Sequence, residues 1–323
     1  MDQATNAALN QKEYLEEKPF LESFPQIINL QANNNCNAKC VYCEIHGLNK
    51  KSFNAGIMPL ELVKKNIGIF EKAKYVELSV TGEPFLYPYL NELVELLAPL
   101  GISFFITTNG LDINEDLLKK VLPFTKSLTI STDGPETNIL TRGYDFKRVL
   151  PALKLISEYQ KEYDFNLNLS AVLTKLNLED SLKLLDIADE YGCKTVIYTK
   201  VLFLKEELKP GYLPSYQDFV NFLKGLSEAG SRFPSLRIVN TLRRVKNWHC
   251  PVLWKNFYLF PNGDILACCI KNELMGNINE QPFEQIWNSP KYVTLRKNYR
   301  QICGDCMHLL LSKYYYRDVY EKI

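Results

Sequence analysis

The chain has 323 residues, 46% of them hydrophobic, and a formal net charge of +1 at pH 7. This length suffices for one large domain and a smaller one, and so small a charge argues against a nucleic-acid-binding surface. No run of about 18 apolar residues predicts a membrane span. The polar N-terminus lacks a signal-peptide pattern, so we expect a cytoplasmic protein without a membrane partner.

Strand-like runs alternate with helical patterns along the first two thirds of the chain. The predicted strands cover residues 26–32, 75–81, 102–108, 127–132, 166–174 and 194–200. Helix-start signals stand at Pro59 and Asn114, and Gly101 and Gly192 follow two helical patterns. This alternation predicts an α/β fold with a parallel sheet, here a partial (β/α)6 TIM-like barrel. Function is then expected on the loops that follow the strands.

Three cysteines lie close together, directly after the first predicted strand. In "NNNCNAKCVYC" they are Cys36, Cys40 and Cys43. A structural zinc ion prefers four ligands in CxxC pairs. Three unevenly spaced thiolates on one polar loop fit better to an iron–sulfur cubane in which one iron has no protein ligand. Nine cysteines in a chain without an export signal also favour metal binding over disulfides.

The CxxxCxxC motif, with Tyr42 before its last cysteine, resembles the radical S-adenosylmethionine (SAM) enzymes. Three strand-end motifs, "VTGEP", "TTNG" and "STDGP", follow in the order of that family. The resemblance implies a [4Fe–4S] cluster whose open iron binds SAM. It also implies a flavodoxin or ferredoxin-type electron donor, and cleavage of SAM to a 5′-deoxyadenosyl radical that abstracts a substrate hydrogen.

The same resemblance assigns contacts to SAM. Gly82 and Glu83 of "VTGEP" stand where the family receives the SAM ammonium group, although Thr81 replaces the first glycine of that motif. Ser131 is expected to contact SAM, Arg142 to hold its carboxylate, and Ser170 is a weaker candidate for its ribose. The full set of expected cofactor-binding residues is Tyr42, Gly82, Glu83, Asn109, Ser131, Arg142 and Ser170.

Four of the five cysteines in the C-terminal part form a second candidate ligand set: Cys250, Cys268, Cys303 and Cys306. Asn262–Gly263 predicts a hairpin that brings the first two together, and CxxC supplies a second pair. By number alone, four thiolates suit zinc or an iron–sulfur cubane. The spacing resembles the SPASM and shorter twitch extensions of the radical SAM family, which implies one auxiliary [4Fe–4S] cluster. No cysteine follows Cys306, so a twitch-like domain is expected.

The chain is thus expected to have three parts. These are an N-terminal extension (1–25), the radical SAM partial barrel (26–230) and the small iron–sulfur domain with its tail (231–323). Cys193 is expected in the core of the barrel.

The overall reaction is expected to depend on how the substrate radical is quenched. Transfer of its electron to the auxiliary cluster would give dehydrogenation, whereas return of a hydrogen atom by a thiol, with Cys269 as candidate, would give epimerisation. The pattern is most similar to 2-deoxy-scyllo-inosamine dehydrogenase-type enzymes, which implies a small sugar or cyclitol-like substrate. The alternatives are an epimerase or decarboxylase of a natural-product pathway, a ribosomal peptide maturase, and a non-catalytic iron–sulfur or zinc scaffold. Lys200, with Tyr198 beside it, is the candidate general base.

Overall fold

The computed structural model describes residues 1–48, 56–78, 81–202, 204–241, 250–268 and 273–303. Cys269 and Cys306, both expected at functional positions, lie outside these ranges. The chain forms two compact units. The first takes its described residues from 1–34, 55–105 and 244–323, and the second takes them from 35–54 and 106–243.

Ten strands are present in the described residues. They are β1 (Ile27–Leu30), β2 (Tyr75–Leu78), β3 (Ser103–Thr108), β4 (Thr125–Ser131), β5 (Asn166–Leu173), β6 (Thr195–Lys200), β7 (Arg237–Asn240), β8 (Asn256–Leu259), β9 (Asp264–Leu266) and β10 (Leu274–Asn277). The first six confirm the strands predicted from the sequence. β7 was not predicted, because a run of four residues that opens with an arginine has too weak a pattern.

The helices between them are mostly short. They are α1 (Gln3–Leu15), α2 (Leu60–Lys65), α3 (Ile67–Phe70), α4 (Leu90–Leu97), α5 (Glu115–Val121), α6 (Asn138–Arg142), α7 (Leu150–Tyr159), α8 (Leu178–Ser181), α9 (Leu184–Glu190), α10 (Lys209–Tyr212), α11 (Tyr216–Gly230), α12 (Val252–Lys255), α13 (Phe283–Trp287) and α14 (Pro290–Ile302). Among the described residues, every helix is too short or too polar to span a bilayer.

In the first unit the strand order is β10-β9-β8-β1-β2-β3. β1 pairs in parallel with β2 on one side and with β8 on the other, where Ile27 is in register with Asn256. The predicted hairpin is confirmed, since β8 and β9 are antiparallel and Gly263 adopts a φ of 89° in the turn. The C-terminal segment therefore continues the sheet of the first unit through β8.

In the second unit the order is β3-β4-β5-β6-β7, and the pairs from β4 to β7 are parallel. One face of this sheet is apolar: Leu167 and Leu169 of β5 are fully buried, and α9 lies against β5 and β6. The other face is polar, because Thr129 of β4 stands beside Asn168 of β5. A strand places alternate side chains on opposite faces, so Ser127, Thr129 and Ser131 of β4 share the polar face with Asn166, Asn168 and Ser170 of β5. Cys193 is buried, as predicted.

Candidate metal centres

The loop that follows β1 places sulfur atoms where backbone and side-chain N–H groups point at them. The backbone N–H groups of Ile45 and His46 each donate to Cys43 Sγ at 3.4 Å. Nδ2 of Asn109 lies 3.6 Å from Cys36 Sγ and 2.7 Å from Asn37 Oδ1. N–H donors of this kind stabilise the negative charge of cluster-bound thiolates. This donor set fits an iron–sulfur cluster held by Cys36, Cys40 and Cys43.

Gly47 closes this loop, and no larger residue would fit there. A Cβ atom added to Gly47 would lie closer than 3.0 Å to the backbone oxygen of Cys40. The backbone N–H of Gly47 also donates to the Cys43 carbonyl at 3.2 Å. The close backbone approach therefore requires glycine. Gly47 was not predicted as a functional residue, because the contact that requires glycine exists only in the folded loop.

A buried carboxylate beside the loop organises several expected cofactor contacts. Asp133, at the end of "STDG", is fully buried and accepts from Arg142 Nη2 at 2.9 Å, from the Tyr42 hydroxyl at 2.8 Å and from the Val172 backbone N–H at 2.9 Å. Tyr42 and Arg142 were predicted to contact SAM, and the structure brings both to one carboxylate. Nε of Arg142 is buried without a hydrogen-bond partner among the described residues.

The ion pair between Arg142 and Asp133 affects the pKa of Cys40, the second cysteine of the motif. Burial raises the pKa of the Cys40 thiol to about 12, while the positive charge of Arg142 acts in the opposite direction and Asp133 adds to the rise. A thiol with so high a pKa is protonated at neutral pH. Binding of iron at Cys40 must therefore displace a proton.

Two of the predicted SAM contacts meet where β4 ends beside the middle of β5. Ser131 of β4 is in register with Ser170 of β5, and their Oγ atoms lie 3.2 Å apart. The Tyr144 hydroxyl lies 3.3 Å from the carbonyl oxygens of both Ser131 and Asn109. It therefore ties the end of β4 to the loop after β3. Tyr144 was not predicted, because nothing near it in the sequence marks it.

A second carboxylate shapes the loop after β4. Oδ2 of Asp180 accepts from the backbone N–H groups of Glu136 and Thr137, each at 2.8 Å. Gly134 has a φ of 142°, and a Cβ atom there would collide with the Asp180 carboxylate. The glycine of "STDGP" is thus required by the close approach of Asp180. The hydrogen bonds hold the pKa of Asp180 below its usual value although burial opposes them.

Gly82 and Glu83, the other predicted SAM contacts, belong to the first unit. Gly82 has a φ of 70°, a conformation that glycine favours. Glu83 is 2% exposed and its Oε1 accepts from the Phe85 backbone N–H at 3.2 Å, capping the short 3₁₀ turn Pro84–Leu86. Thr81, which replaces the expected glycine, donates to the Asn33 carbonyl oxygen at 3.3 Å.

The candidate bases on β6 have structural contacts. The Tyr198 hydroxyl is buried and donates to the Ser181 carbonyl at 3.0 Å. The Lys200 ammonium lies 5.7 Å from the centroid of the Phe219 ring. The described contacts of these two residues contain no proton-transfer partner.

Three of the four C-terminal cysteines are described, and all three are buried: Cys250, Cys268 and Cys303. Burial raises the pKa of Cys250, and the Cys268 and Cys303 thiols raise it further, whereas the backbone N–H groups of Val252 and Leu253 lower it by donating to its sulfur. Neighbouring buried thiols that receive N–H donors fit a cluster site. Within the described residues, no three Cys, His, Asp or Glu side chains converge around a single metal ion.

The N-terminal extension packs on this second cysteine group. α1 contacts α12, and Nδ2 of Asn10 donates to the Trp254 carbonyl at 2.8 Å. The ring of Trp254 makes edge contacts with Tyr14 of α1 and Tyr299 of α14. Burial raises the pKa of Tyr14 to about 12, with Cys250 as the next cause. The N-terminal extension, for which the sequence predicted no role, therefore packs on α12 beside Cys250.

Comparison with known proteins gives two family matches. A model described as the radical SAM superfamily matches residues 30–188, and a SPASM model, described as an iron–sulfur cluster-binding domain, matches residues 250–307. The first match contains Cys36, Cys40 and Cys43, and the second contains the four C-terminal cysteines.

Individual relatives agree with these matches. The AdoMet-dependent heme synthase of Methanosarcina barkeri is 23% identical over 317 residues, which is 87% of each chain. The crystal structure of SuiB from Streptococcus suis bound to S-adenosylmethionine aligns with a TM-score of 0.69 and 20% identity, over 87% of this chain and 70% of that one. Native anSMEcpe with bound AdoMet aligns with a TM-score of 0.67 and 22% identity, over 88% of each chain. At such identities the two structures establish a common fold only.

Proposed function

Because this chain belongs to the radical SAM superfamily and carries a SPASM iron–sulfur domain, we propose a specific reaction for it. The enzyme cleaves SAM reductively at a cluster held by Cys36, Cys40 and Cys43, and removes a hydrogen atom from a small polar substrate. Cys250, Cys268, Cys303 and Cys306 would hold the auxiliary cluster, which would supply a one-electron acceptor. Loss of that electron and of one proton from the substrate radical would make the net change a two-electron dehydrogenation.

When bound, the first cluster and SAM supply the radical that abstracts hydrogen, and the auxiliary cluster supplies a one-electron acceptor. The chain contributes the charge environment of the first cluster. One observation carries the proposal: Asn109 and the backbone N–H groups of Ile45 and His46 are aimed at the sulfur atoms of Cys36 and Cys43. Donors directed at sulfur are useful to a thiolate that binds iron.

The positioning of SAM is assigned to groups beside the loop. The paired hydroxyls of Ser131 and Ser170, 3.2 Å apart, offer both donors and acceptors to a hydroxyl-bearing ribose. Asp133 fixes Arg142 through Nη2, and the buried Nε has no hydrogen-bond partner among the described residues. A guanidinium held in this way suits a carboxylate such as that of SAM.

The substrate class follows from the polar face of the second unit. Thr129 and Asn168 are almost fully buried on that face, and Asn168 Nδ2 donates to Ser127 Oγ at 2.9 Å and to Thr129 Oγ1 at 3.5 Å. Ser131 and Ser170 are partly exposed, so their hydroxyls can bond to a polar ligand, whereas an apolar ligand would bury them without new partners, which costs free energy. This wall favours a hydroxylated substrate such as a cyclitol or an amino sugar.

The test uses anaerobic enzyme, SAM and a reductant with a panel of cyclitols that includes 2-deoxy-scyllo-inosamine, each deuterated at a carbinol carbon. We expect deuterium in 5′-deoxyadenosine and a ketone as product. In Cys303→Ala, deuterium transfer should persist while ketone formation falls, because the electron acceptor is lost. A full yield of ketone from that variant would contradict the acceptor role. Return of solvent hydrogen to the product, abolished by Cys269→Ala, would instead identify an epimerase.

A further inference from the structure

The buried side of α14 carries two polar groups without partners. The Tyr292 hydroxyl and Nη2 of Arg296 are buried and have no hydrogen-bond partner among the described residues. Their side chains are 0% and 1% exposed. Each unsatisfied buried group costs about 1–3 kcal/mol. Two such costs on one helix call for a partner beyond the described residues.

These groups share a helix face with an expected cluster ligand. Tyr292, Arg296, Tyr299 and Cys303 follow each other at helical spacings of four, three and four residues, and all four are buried. Burial raises the pKa of Tyr292, the charge of Arg296 opposes this rise, and the Cys268 thiol adds to it, so the hydroxyl is within electrostatic reach of a second expected ligand.

Arg296 brings a positive charge into the same region. Its Nε donates to the Leu253 carbonyl at 2.9 Å, in the turn that follows Cys250. Nη1 donates to the carbonyls of Pro19 and Trp287. Burial lowers the pKa of Arg296 to about 9, so the group still carries its charge at neutral pH.

The charge of Arg296 has no ion-pair partner among the described residues. The acidic group whose charge reaches it is Glu13. The carboxylate of Glu13 instead accepts from the backbone N–H and the hydroxyl of Ser23, at 3.1 and 2.5 Å. The guanidinium also lies 4.2 Å from the centroid of the Trp287 ring and 4.8 Å from that of Tyr292. Carbonyls and aromatic rings leave its charge unneutralised, and a nearby anion would stabilise it further. A cluster with four thiolate ligands is such an anion.

We propose that Tyr292 and Arg296 act on the auxiliary cluster, as a hydrogen-bond donor to its sulfur and as a buried positive charge, and thereby raise its reduction potential. Reduction adds one negative charge to the cluster, and donors and cations favour the more negative state. The inference rests on the auxiliary cluster of the proposed function. A raised reduction potential would help that cluster to accept an electron from a substrate radical.

The test is a redox titration of the full-length, anaerobically prepared holoenzyme, followed by electron paramagnetic resonance. The auxiliary signal is the one that persists in Cys40→Ala. Tyr292→Phe removes only the hydroxyl and should shift the auxiliary midpoint to a more negative potential. We expect the ratio of oxidised to reduced cluster at the wild-type midpoint to rise up to tenfold, which is about 59 mV for one electron. The matched control is Tyr87→Phe, whose buried hydroxyl donates to the Met58 carbonyl in the same unit, and it should leave the midpoint unchanged.

Arg296→Gln should shift the midpoint in the same direction, and Arg296→Lys, which retains the charge, should shift it less. If Tyr292→Phe does not bind its auxiliary cluster, the two Arg296 variants still test whether α14 affects the midpoint potential. An unchanged midpoint in Tyr292→Phe and Arg296→Gln, or an equal shift in Tyr87→Phe, would overturn the inference while both clusters are present. A wild-type iron content of about four per chain instead of about eight would overturn the auxiliary cluster itself. The two failures are therefore distinguishable.

Discussion

Arg142 and Asp133 form a buried ion pair, with Nη2 of Arg142 2.9 Å from Oδ1 of Asp133 and side-chain exposures of 6% and 0%. The other carboxylate oxygen of Asp133 accepts from the Tyr42 hydroxyl. One acidic side chain thus orients a tyrosine of the cysteine motif and an arginine expected at the SAM carboxylate. Loss of that acid should disturb the loop and the cofactor site together.

The first prediction concerns Asp133→Asn. Removing one partner of a buried pair leaves an uncompensated charge, which typically costs about 3–5 kcal/mol. We expect a loss of this size in the free energy of unfolding, measured by anaerobic urea denaturation, together with weaker SAM binding. The matched control is Asp112→Asn, because Asp112 and Arg148 form an ion pair at 3.2 Å whose side chains are 69% and 54% exposed. Exposed pairs contribute about 0–1 kcal/mol, so equal losses in both variants would contradict this account.

The second prediction concerns Gly47→Ala. The added methyl group would collide with the Cys40 backbone oxygen, so the loop must open and its three cysteines must separate. We expect iron content to fall by one cluster, about four irons, and SAM cleavage to be lost. Gly211→Ala is the control, because a Cβ atom at Gly211 meets nothing within 4 Å. A Gly47→Ala variant with full iron content and normal SAM cleavage would show that the loop tolerates the side chain.

The third prediction is a pH dependence that arises from Lys255. This side chain is fully buried, donates to Gln11 Oε1 at 2.6 Å, and has its pKa lowered by burial from 10.5 to about 8. Between these two values the unfolded chain binds a proton that the folded chain does not, so stability rises with pH from about 8 to 10.5. At neutral pH the buried charge costs the folded state roughly 3 kcal/mol.

Lys255→Met removes the buried positive charge and therefore its cost to the stability of the folded state. We expect the variant to gain stability relative to wild type at pH 7, and the gain to shrink as the pH approaches 10.5. Thermal unfolding of both proteins at the two pH values measures the difference. Lys224→Met, at an exposed position of α11, is the control. A Lys255→Met gain that does not change with pH would mean that packing, and not the buried charge, is the cause.

Much of the fold could be predicted from the sequence because its pattern is local. Six strands were predicted within about three residues of their ends, since short apolar runs indicate the buried strands of a sheet. The turn at Gly263 was predicted because Asn-Gly between two apolar runs is itself a local hairpin pattern. β7 was missed because four residues hold too little periodicity.

The candidate site was predictable where its residues form motifs. Ser131 and Ser170 were singled out separately, and the structure places them side by side. Asp133 was part of a recognised motif, yet its role depends on Arg142 and Tyr42 approaching from other parts of the chain. The same holds for Tyr14, which reaches the environment of Cys250 from the far end of the sequence. Contacts between distant segments leave no local pattern to read.

The most direct test of the central claim is formation of 5′-deoxyadenosine by anaerobically reconstituted protein supplied with SAM and dithionite. Wild-type protein and the Cys193→Ala control, which alters a buried cysteine outside both proposed cluster sites, should form 5′-deoxyadenosine and hold about eight irons per chain. Cys40→Ala should form none and retain about four irons, those of the auxiliary cluster. Wild-type-like formation of 5′-deoxyadenosine by Cys40→Ala, or its absence from the wild-type protein with both clusters loaded, would contradict the assignment of Cys36, Cys40 and Cys43 as the cluster that cleaves SAM.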